Sequence, residues 1–342
     1  MTDKKIMKKN LILSSCLVLA AAFAVACNKS DSDNPNEANQ RYFDAWRAIH
    51  YPAAVEKDGV YVIDDKPGTG LEWTESLPVT LFTYTVRNLD GTVASNTDEQ
   101  WAKQLGTWNE TYYYGPQVTT TGESLSYAGL DAVLDGMKQG GTRTAIIPSW
   151  MMTYNRYDSV REYLKHETEN TSAIYTITFL EQTENLYEYE LRQMREYASS
   201  HWGVTDTLST AAVFFKSFTE FEGEPVEMPT DTTVYINYIG RRMSDGQVFD
   251  TTIADTAKFY HIYDASKTYQ PVSVTWAETA TGIKLGGSSV VDGFAYGLKA
   301  MHPEEKASFL FGYKLGYSSS GSGNLIPPYA ALRFDIEMVP EP

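Results

Sequence analysis

The chain has 342 residues, the length of about two domains, and its 44 acidic against 28 basic side chains give a formal charge of −16. Such a surface repels nucleic acid, and no basic stripe offsets it. The five histidines (His50, His166, His201, His261 and His302) show no metal-ligand spacing, no Gly-x-Ser-x-Gly elbow occurs, and the glycine-rich stretch 282–288 has no lysine where a phosphate loop needs one.

Residues 1–26 read as a targeting segment: Lys4, Lys5, Lys8 and Lys9 form a basic start, and 11–26 is an apolar run too short and too close to the terminus for a membrane span. Ala24-Val25-Ala26-Cys27 resembles a bacterial lipoprotein cleavage box. That resemblance implies loss of Cys16 with the leader and lipidation of Cys27. A mature chain of 342 − 26 = 316 residues would remain, with no cysteine pair for a disulfide or thiolate metal site. Residues 27–35 are polar and lack apolar side chains that could pack, so they read as a flexible tether. Acidic residues just behind Cys27 resemble the surface-export signal of Bacteroidetes lipoproteins. The expected location is the bacterial cell envelope, lipid-anchored in the outer membrane, with the leaflet open. The competing reading is a secreted protein with a chance cysteine.

Beyond the tether the chain repeats one plan. A helix over 36–50 is expected to place Tyr42, Ala45, Trp46 and Ile49 on one face, and a helix over 185–202 to do the same with Tyr187, Leu191, Met194 and Ala198. A short apolar strand follows each, at 60–63 and 213–216, then a loop at 66–70 and 222–225. Tyr61 to Tyr84 (84 − 61 = 23) and Phe215 to Tyr238 (238 − 215 = 23) are equal steps, and each copy then turns at Asp-Gly, Asp90-Gly91 and Asp245-Gly246. Leu130, Leu134 and Met137 recur as Phe294, Leu298 and Met301 at a constant offset of 164 (294 − 130), on a helical stripe. Alternating strands at 173–179 and 332–338 close the copies. The expected class is α+β: two domains, 36–183 and 184–342, each an antiparallel sheet wrapped over one short helix and preceded by another helix.

The second copy carries a series of motifs in fixed order: Tyr238-Ile239-Gly240, Asp245-Gly246-Gln247-Val248-Phe249-Asp250, Val290-Val291-Asp292-Gly293-Phe294, a loop tyrosine Tyr317 within a Gly/Ser-rich stretch, Leu325-Ile326-Pro327-Pro328, and Phe334. This series resembles the FKBP-type peptidyl-prolyl cis-trans isomerases, well over 210–342 and weakly over 59–183. The resemblance implies an enzyme acting on proline-containing polypeptides, with no cofactor and no metal. Tyr238, Asp250 and Tyr317 would be its catalytic polar groups. Phe249, Val290, Val291, Phe294, Leu325, Ile326 and Phe334 would bind substrate, Phe294 standing where the family has tryptophan.

Such chemistry needs no nucleophile. Rotation about the prolyl amide is opposed by ~18–20 kcal/mol of lost resonance, and a dry apolar pocket with donors aimed at the twisted carbonyl favours that state over the planar one. The long connection from Phe249 to Val290, with Tyr260, Tyr263, Tyr269 and Trp276, departs from the family and is expected to extend or cover the groove. The first copy keeps Tyr84 and Asp90-Gly91 but reads Ala94-Ser95 for Phe-Asp, Ser126-Tyr127 for the Val-Ile pair and Leu130 at the floor; Tyr154 stands one residue out of place for the loop tyrosine, and no Ile-Pro-Pro precedes its last strand. It reads as a structural or binding module. Two other readings compete: a non-catalytic FKBP-like binding or chaperone lipoprotein and, more remotely, an acyl-chain or glycan receptor. Turnover of a proline-containing peptide separates them.

Overall fold

A computed structural model describes residues 35–122, 126–165 and 170–341. The leader, Cys27 and the tether up to residue 34 lie outside the described residues. Pro35, placed by the sequence at the end of the tether, instead opens a helix, where its fixed φ suits the first turn.

The first unit runs α1 (Pro35–His50), β1 (Val55–Lys57), β2 (Val60–Lys66), β3 (Val79–Asn88), β4 (Val93–Asn96), α2 (Glu99–Gln104), β5 (Gln117–Thr120), α3 (Ala128–Leu134), β6 (Thr142–Ile147), α4 (Val160–Tyr163) and β7 (Ala173–Thr183). The second runs α5 (Leu186–Trp202), β8 (Val213–Ser217), β9 (Thr233–Arg242), β10 (Val248–Thr251), α6 (Ala254–Phe259), β11 (Val272–Thr275), β12 (Lys284–Leu285), β13 (Ser288–Ser289), α7 (Asp292–Lys299), β14 (Lys306–Phe311) and β15 (Leu332–Val339). Strand order is β1-β2-β6-β7-β3-β4 in one sheet and β13-β12-β11-β9-β15-β14-β8 in the other, with β5 also on β3 and β10 also on β9. The common path β2-β6-β7-β3 thus repeats as β8-β14-β15-β9, and the pairings along it are antiparallel. This is the expected α+β plan.

Each sheet is covered on both faces. On one side lie α3 and α7, drawn close because Gly129 and Gly293 carry no side chain: a Cβ there would stand 2.2 Å from Ile147 Cγ2 and 2.2 Å from Phe311 Cγ respectively. On the outer side lie α1 and α5. Strand β14 feeds both layers, with Ala307, Phe309 and Phe311 in the main core and Leu310 packed with α5. Burial on both faces explains why Phe309-Leu310-Phe311 is continuously apolar rather than alternating.

The outer helices keep part of each expected face: Trp46 in the first, and Met194 and Ala198 with Leu191 against them in the second. Helix α1 buries Asn36, Phe43 and Trp46, while Tyr42 and Ile49 are 61% and 75% exposed. Phe43 and Trp46 meet Ile146 and Ile174 of the sheet, and Phe43 lies 5.7 Å from the Tyr61 ring. Helix α5 buries Glu190, Met194, Ala198 and Trp202, with Tyr187 and Leu191 only partly covered. Asn185 caps its first turn by accepting from the Tyr187 and Glu188 amides, and Gly203 ends it in the left-handed region (φ 67°).

The long connection after Phe249 is also less foreign than its length implied. A short helix and a strand follow the hairpin in both units (α2 and β5, α6 and β11). The offset between units is 155 at that strand (272 − 117) and 164 at the next helix (292 − 128). The extra nine residues fall where β12 and β13 form a hairpin. Trp276, expected near the groove, is 1% exposed in the core beside Val274 and Ile283.

Candidate active site

The site begins with a missing side chain. Gly240, two residues after Tyr238 on β9, has room for nothing: a Cβ would stand 2.8 Å from Phe249 Cζ and 2.8 Å from Phe334 Cε1. Phe334 lies directly opposite Gly240 on β15, and the absent side chain lets the two phenylalanines meet edge to face, 5.7 Å apart at 83°. Phe294, from the first turn of α7, packs against Phe334 at 4.8 Å and 75°.

Next to this wall the β9–β10 ladder breaks register between Val248 and Asp250. In a regular strand, consecutive residues face opposite sides; a bulge re-aims them. Phe249 and Asp250 therefore both line one cavity, of about 390 Å3, together with Tyr238, Val290, Val291, Phe294, Tyr317 and Phe334. Eight of the ten side chains expected to act on substrate are thus assembled. Leu325 and Ile326 are outside that lining: Ile326 is 4% exposed and belongs to the core, with Leu325 packed against it. Leu285 and Ser289, from the β12–β13 hairpin, complete the lining. The sequence marked neither, although the hairpin's position just before Val290 places them there.

The polar groups are not equivalent. Tyr238 donates its hydroxyl to Asp250 Oδ2 at 2.7 Å. Burial, and then the neighbouring Asp250 carboxylate, push this phenol far above its ordinary range, so it remains a donor at any working pH. Asp250 Oδ1 accepts from the Thr251 amide at 3.0 Å and faces Lys267 Nζ at 3.6 Å. Lys267 comes from the loop after α6, and no sequence signal singled it out. Tyr317 is also raised, by burial first and by Asp250 second. Among the described residues no hydrogen bond engages its hydroxyl, which leaves it as an unspent donor at the cavity. Nor do the described residues include a group of three or more His, Cys, Asp or Glu placed to hold a metal.

The first unit keeps the scaffold and changes the wall. Its ladder breaks register at the equivalent place, so Ala94 takes the bulge position, and Tyr84 Oη lies 3.3 Å from Ser95 Oγ as Tyr238 lies by Asp250. Val86 stands where Gly240 stands, opposite Tyr175. The Tyr127 and Tyr154 rings pack 4.7 Å apart, and burial, then Tyr127 and Tyr84, push the Tyr175 phenol up to about 12.

Residues 224–339 match the family of FKBP-type peptidyl-prolyl cis-trans isomerases. The chain carries an FKBP-type domain. Among curated proteins it is similar to FK506-binding protein 2 of Candida glabrata, 29% identical over 106 residues, 31% of this chain and 62% of that protein. It is also similar to peptidyl-prolyl cis-trans isomerase FKBP53 of Arabidopsis thaliana, 28% identical over 108 residues, 31% of this chain and 18% of that protein. In each case the chain spans less than two thirds of the relative's length. Of solved structures, FkpA from Escherichia coli aligns at 26% identity over 45% of this chain and 58% of that one, with a TM-score of 0.30. The FKBP-type span begins after β8 and contains every residue that lines the 390 Å3 cavity.

Proposed function

We propose that the FKBP-type domain catalyses cis–trans isomerisation of X-Pro bonds in exported polypeptides, on a chain anchored to the bacterial envelope through Cys27. The observation that carries this reading is the cavity itself. Three phenylalanines, two valines and a leucine make an apolar slot for a proline ring, and Tyr317 and Asp250 stand at its polar side. A proline seated against Phe294 would leave water behind, and the planar amide loses more by that than the less polar twisted one. The free Tyr317 hydroxyl then donates to the twisted carbonyl. Asp250, oriented by Tyr238 and Lys267, supplies a fixed negative charge that favours the amide dipole in its rotated direction. A millionfold acceleration requires about 8 kcal/mol of such selective stabilisation, with no covalent step. Export and anchoring rest on the basic and apolar leader and on Ala24-Val25-Ala26-Cys27. The role of the first unit as support or as a binding surface rests on its altered wall.

The test is a protease-free isomerisation assay of the full mature chain on a proline-containing peptide. Asp250→Leu and Tyr317→Phe should each lower kcat/KM by about tenfold or more, roughly 1.4 kcal/mol of transition-state stabilisation, while both variants stay folded. A wild-type chain that binds the peptide without accelerating exchange would instead support the non-catalytic binding reading.

A further inference from the structure

Where β9 ends, Arg242 carries a guanidinium that is 1% exposed. A buried cation is costly unless every donor is met, and an apolar side chain of similar size would pack there without that cost. Here all five N–H donors are met, by three separate stretches of chain. Nε donates to Asp245 at 2.9 Å and Nη2 to Asp245 Oδ2 at 2.8 Å, within the hairpin. Nη1 donates to the Thr111 carbonyl at 3.0 Å and to the Leu325 carbonyl, and Nη2 also faces the Tyr112 carbonyl at 3.5 Å. The Tyr113 ring lies 5.6 Å from the guanidinium carbon. Thr111, Tyr112 and Tyr113 belong to the first unit, between α2 and β5, 131 residues away in sequence at the Thr111 bond. Leu325 belongs to the loop that carries Tyr317.

That loop is a closed set of backbone bonds. Ile326 and Ser322 exchange two hydrogen bonds, at 2.8 and 3.1 Å; Gly321 donates to the Tyr317 carbonyl at 3.1 Å, and Tyr329 to the Ser318 carbonyl at 3.0 Å. A restraint on Leu325 is therefore passed to Tyr317 through at most two turns. On the other side, the turn that presents Thr111 and Tyr112 is shaped by Asn109, whose Oδ1 accepts from the Thr111 amide at 2.9 Å and its hydroxyl at 2.8 Å. We infer that Arg242 is a positioning residue through which the first unit holds the Tyr317 loop against the cavity of the second. The activity part of this inference rests on the isomerase reading; the positioning part does not.

The experiment uses the full mature chain with Arg242→Leu, Arg242→Lys, Asn109→Ala and the Arg242→Leu/Asn109→Ala double variant. Two readouts are taken: amide hydrogen exchange at Ser322, Ile326 and Tyr329, and kcat and KM for a proline-containing peptide. Arg242→Leu should speed exchange at those three amides by about tenfold while Phe309 and Ile336 in the sheet stay protected, and should lower kcat/KM about fivefold or more. Arg242→Lys should fail to rescue, because an ammonium offers its donors from one point and cannot reach acceptors on three segments. Asn109→Ala lies outside the FKBP-type domain, yet should act in the same direction. In the Arg242→Leu background it should add nothing, since the route is already cut.

Unchanged exchange at Ser322, Ile326 and Tyr329 in a folded Arg242→Leu chain overturns the inference, as does full additivity of the two changes. If Arg242→Leu does not fold, Asn109→Ala decides alone: unchanged exchange at the three amides overturns it. A wild-type chain without isomerase activity defeats the proposed function, and the exchange data still decide the positioning.

Discussion

Two single residues show how much of the cavity depends on space rather than on reactive groups. Gly240 and Phe249 occupy one volume between them; the first unit fills the equivalent volume with Val86 and Ala94. The exchange keeps the core packed in both units and keeps the aromatic wall in only one. Gly240→Ala should therefore displace Phe249 or Phe334 by the missing tenths of an ångström, destabilising the chain by about 1–3 kcal/mol and reducing peptide turnover. Denaturant titration beside the isomerisation assay checks both effects, and wild-type stability and activity in the Gly240→Ala variant would refute the packing argument. Glu190 offers a second residue-scale test. It is 5% exposed on α5, accepts from the Tyr313 amide at 3.0 Å, and burial raises its carboxyl from 4.5 to about 7. Because the folded chain holds this proton more tightly than the unfolded chain, the contribution is fully present below pH ~4.5. It is lost as pH rises toward 7, by ~3 kcal/mol in all. Glu190→Gln keeps an acceptor for the amide and cannot ionise. Wild type and variant should match in stability at pH 4, with the variant the more stable above pH 7.

At the scale of elements, the outer helices separate what a pattern can reveal from what it cannot. In α1 the apolar residues make two stripes that share Trp46, Tyr42-Ala45-Trp46-Ile49 and Phe43-Trp46, and helical periodicity accepts either. The choice is made by the sheet, where Ile146, Ile174 and Tyr61 offer an apolar seat for Phe43. Phe43→Ala is thus expected to destabilise by about 3–4 kcal/mol, and Ile49→Ala to stay within roughly 0.5 kcal/mol, in thermal or denaturant unfolding. Equal losses would mean that both stripes pack. The repeat, the Asp-Gly hairpins, the short helix under each sheet and the Tyr-x-Gly strand were all legible in the sequence, because each rests on local chemistry or constant spacing. Three features were not legible in the local pattern of the chain. Glu190 faces inward, where an amide 123 residues away donates to its carboxyl. Asp250 joins Phe249 at the cavity because of a bulge, against the alternation of a strand. Leu325 and Ile326 were read as wall, whereas the core takes Ile326 and the carbonyl of Leu325 meets a buried arginine. For Glu190 and Leu325 the deciding partner is remote in sequence, so no window along the chain contains it. The bulge beside Phe249 lies within its own hairpin, and the family resemblance, not the strand pattern, assigns both Phe249 and Asp250 to the site.

For the whole molecule, the question is how far the two sheets are independent. Each has its own core around its own short helix, and the clusters share no residue. Only two residues, Glu184 and Asn185, lie between the end of β7 and the start of α5, so the tether between units is short. The chain 184–342 expressed alone should therefore fold cooperatively, since every strand of its sheet and its covering helix α5 are included. The segment 36–183 should fold too, retaining α3 and nearly all of α1. Activity should divide unevenly. Phe249 and Phe294, which wall the cavity, have Ala94 and Leu130 as counterparts in 36–183, so that fragment should leave the cis–trans exchange rate of a proline peptide unchanged. The 184–342 fragment should accelerate it, but less than the full chain, because Arg242 loses the Thr111 and Tyr112 carbonyls and water takes their place. Its deficit should match that of full-length Arg242→Leu, and introducing Arg242→Leu into the fragment should lower activity by less than it does in the full chain. A fragment as active as the full chain would mean that the first unit contributes nothing to the site. Activity in 36–183 would mean that the aromatic wall is not what grips the proline.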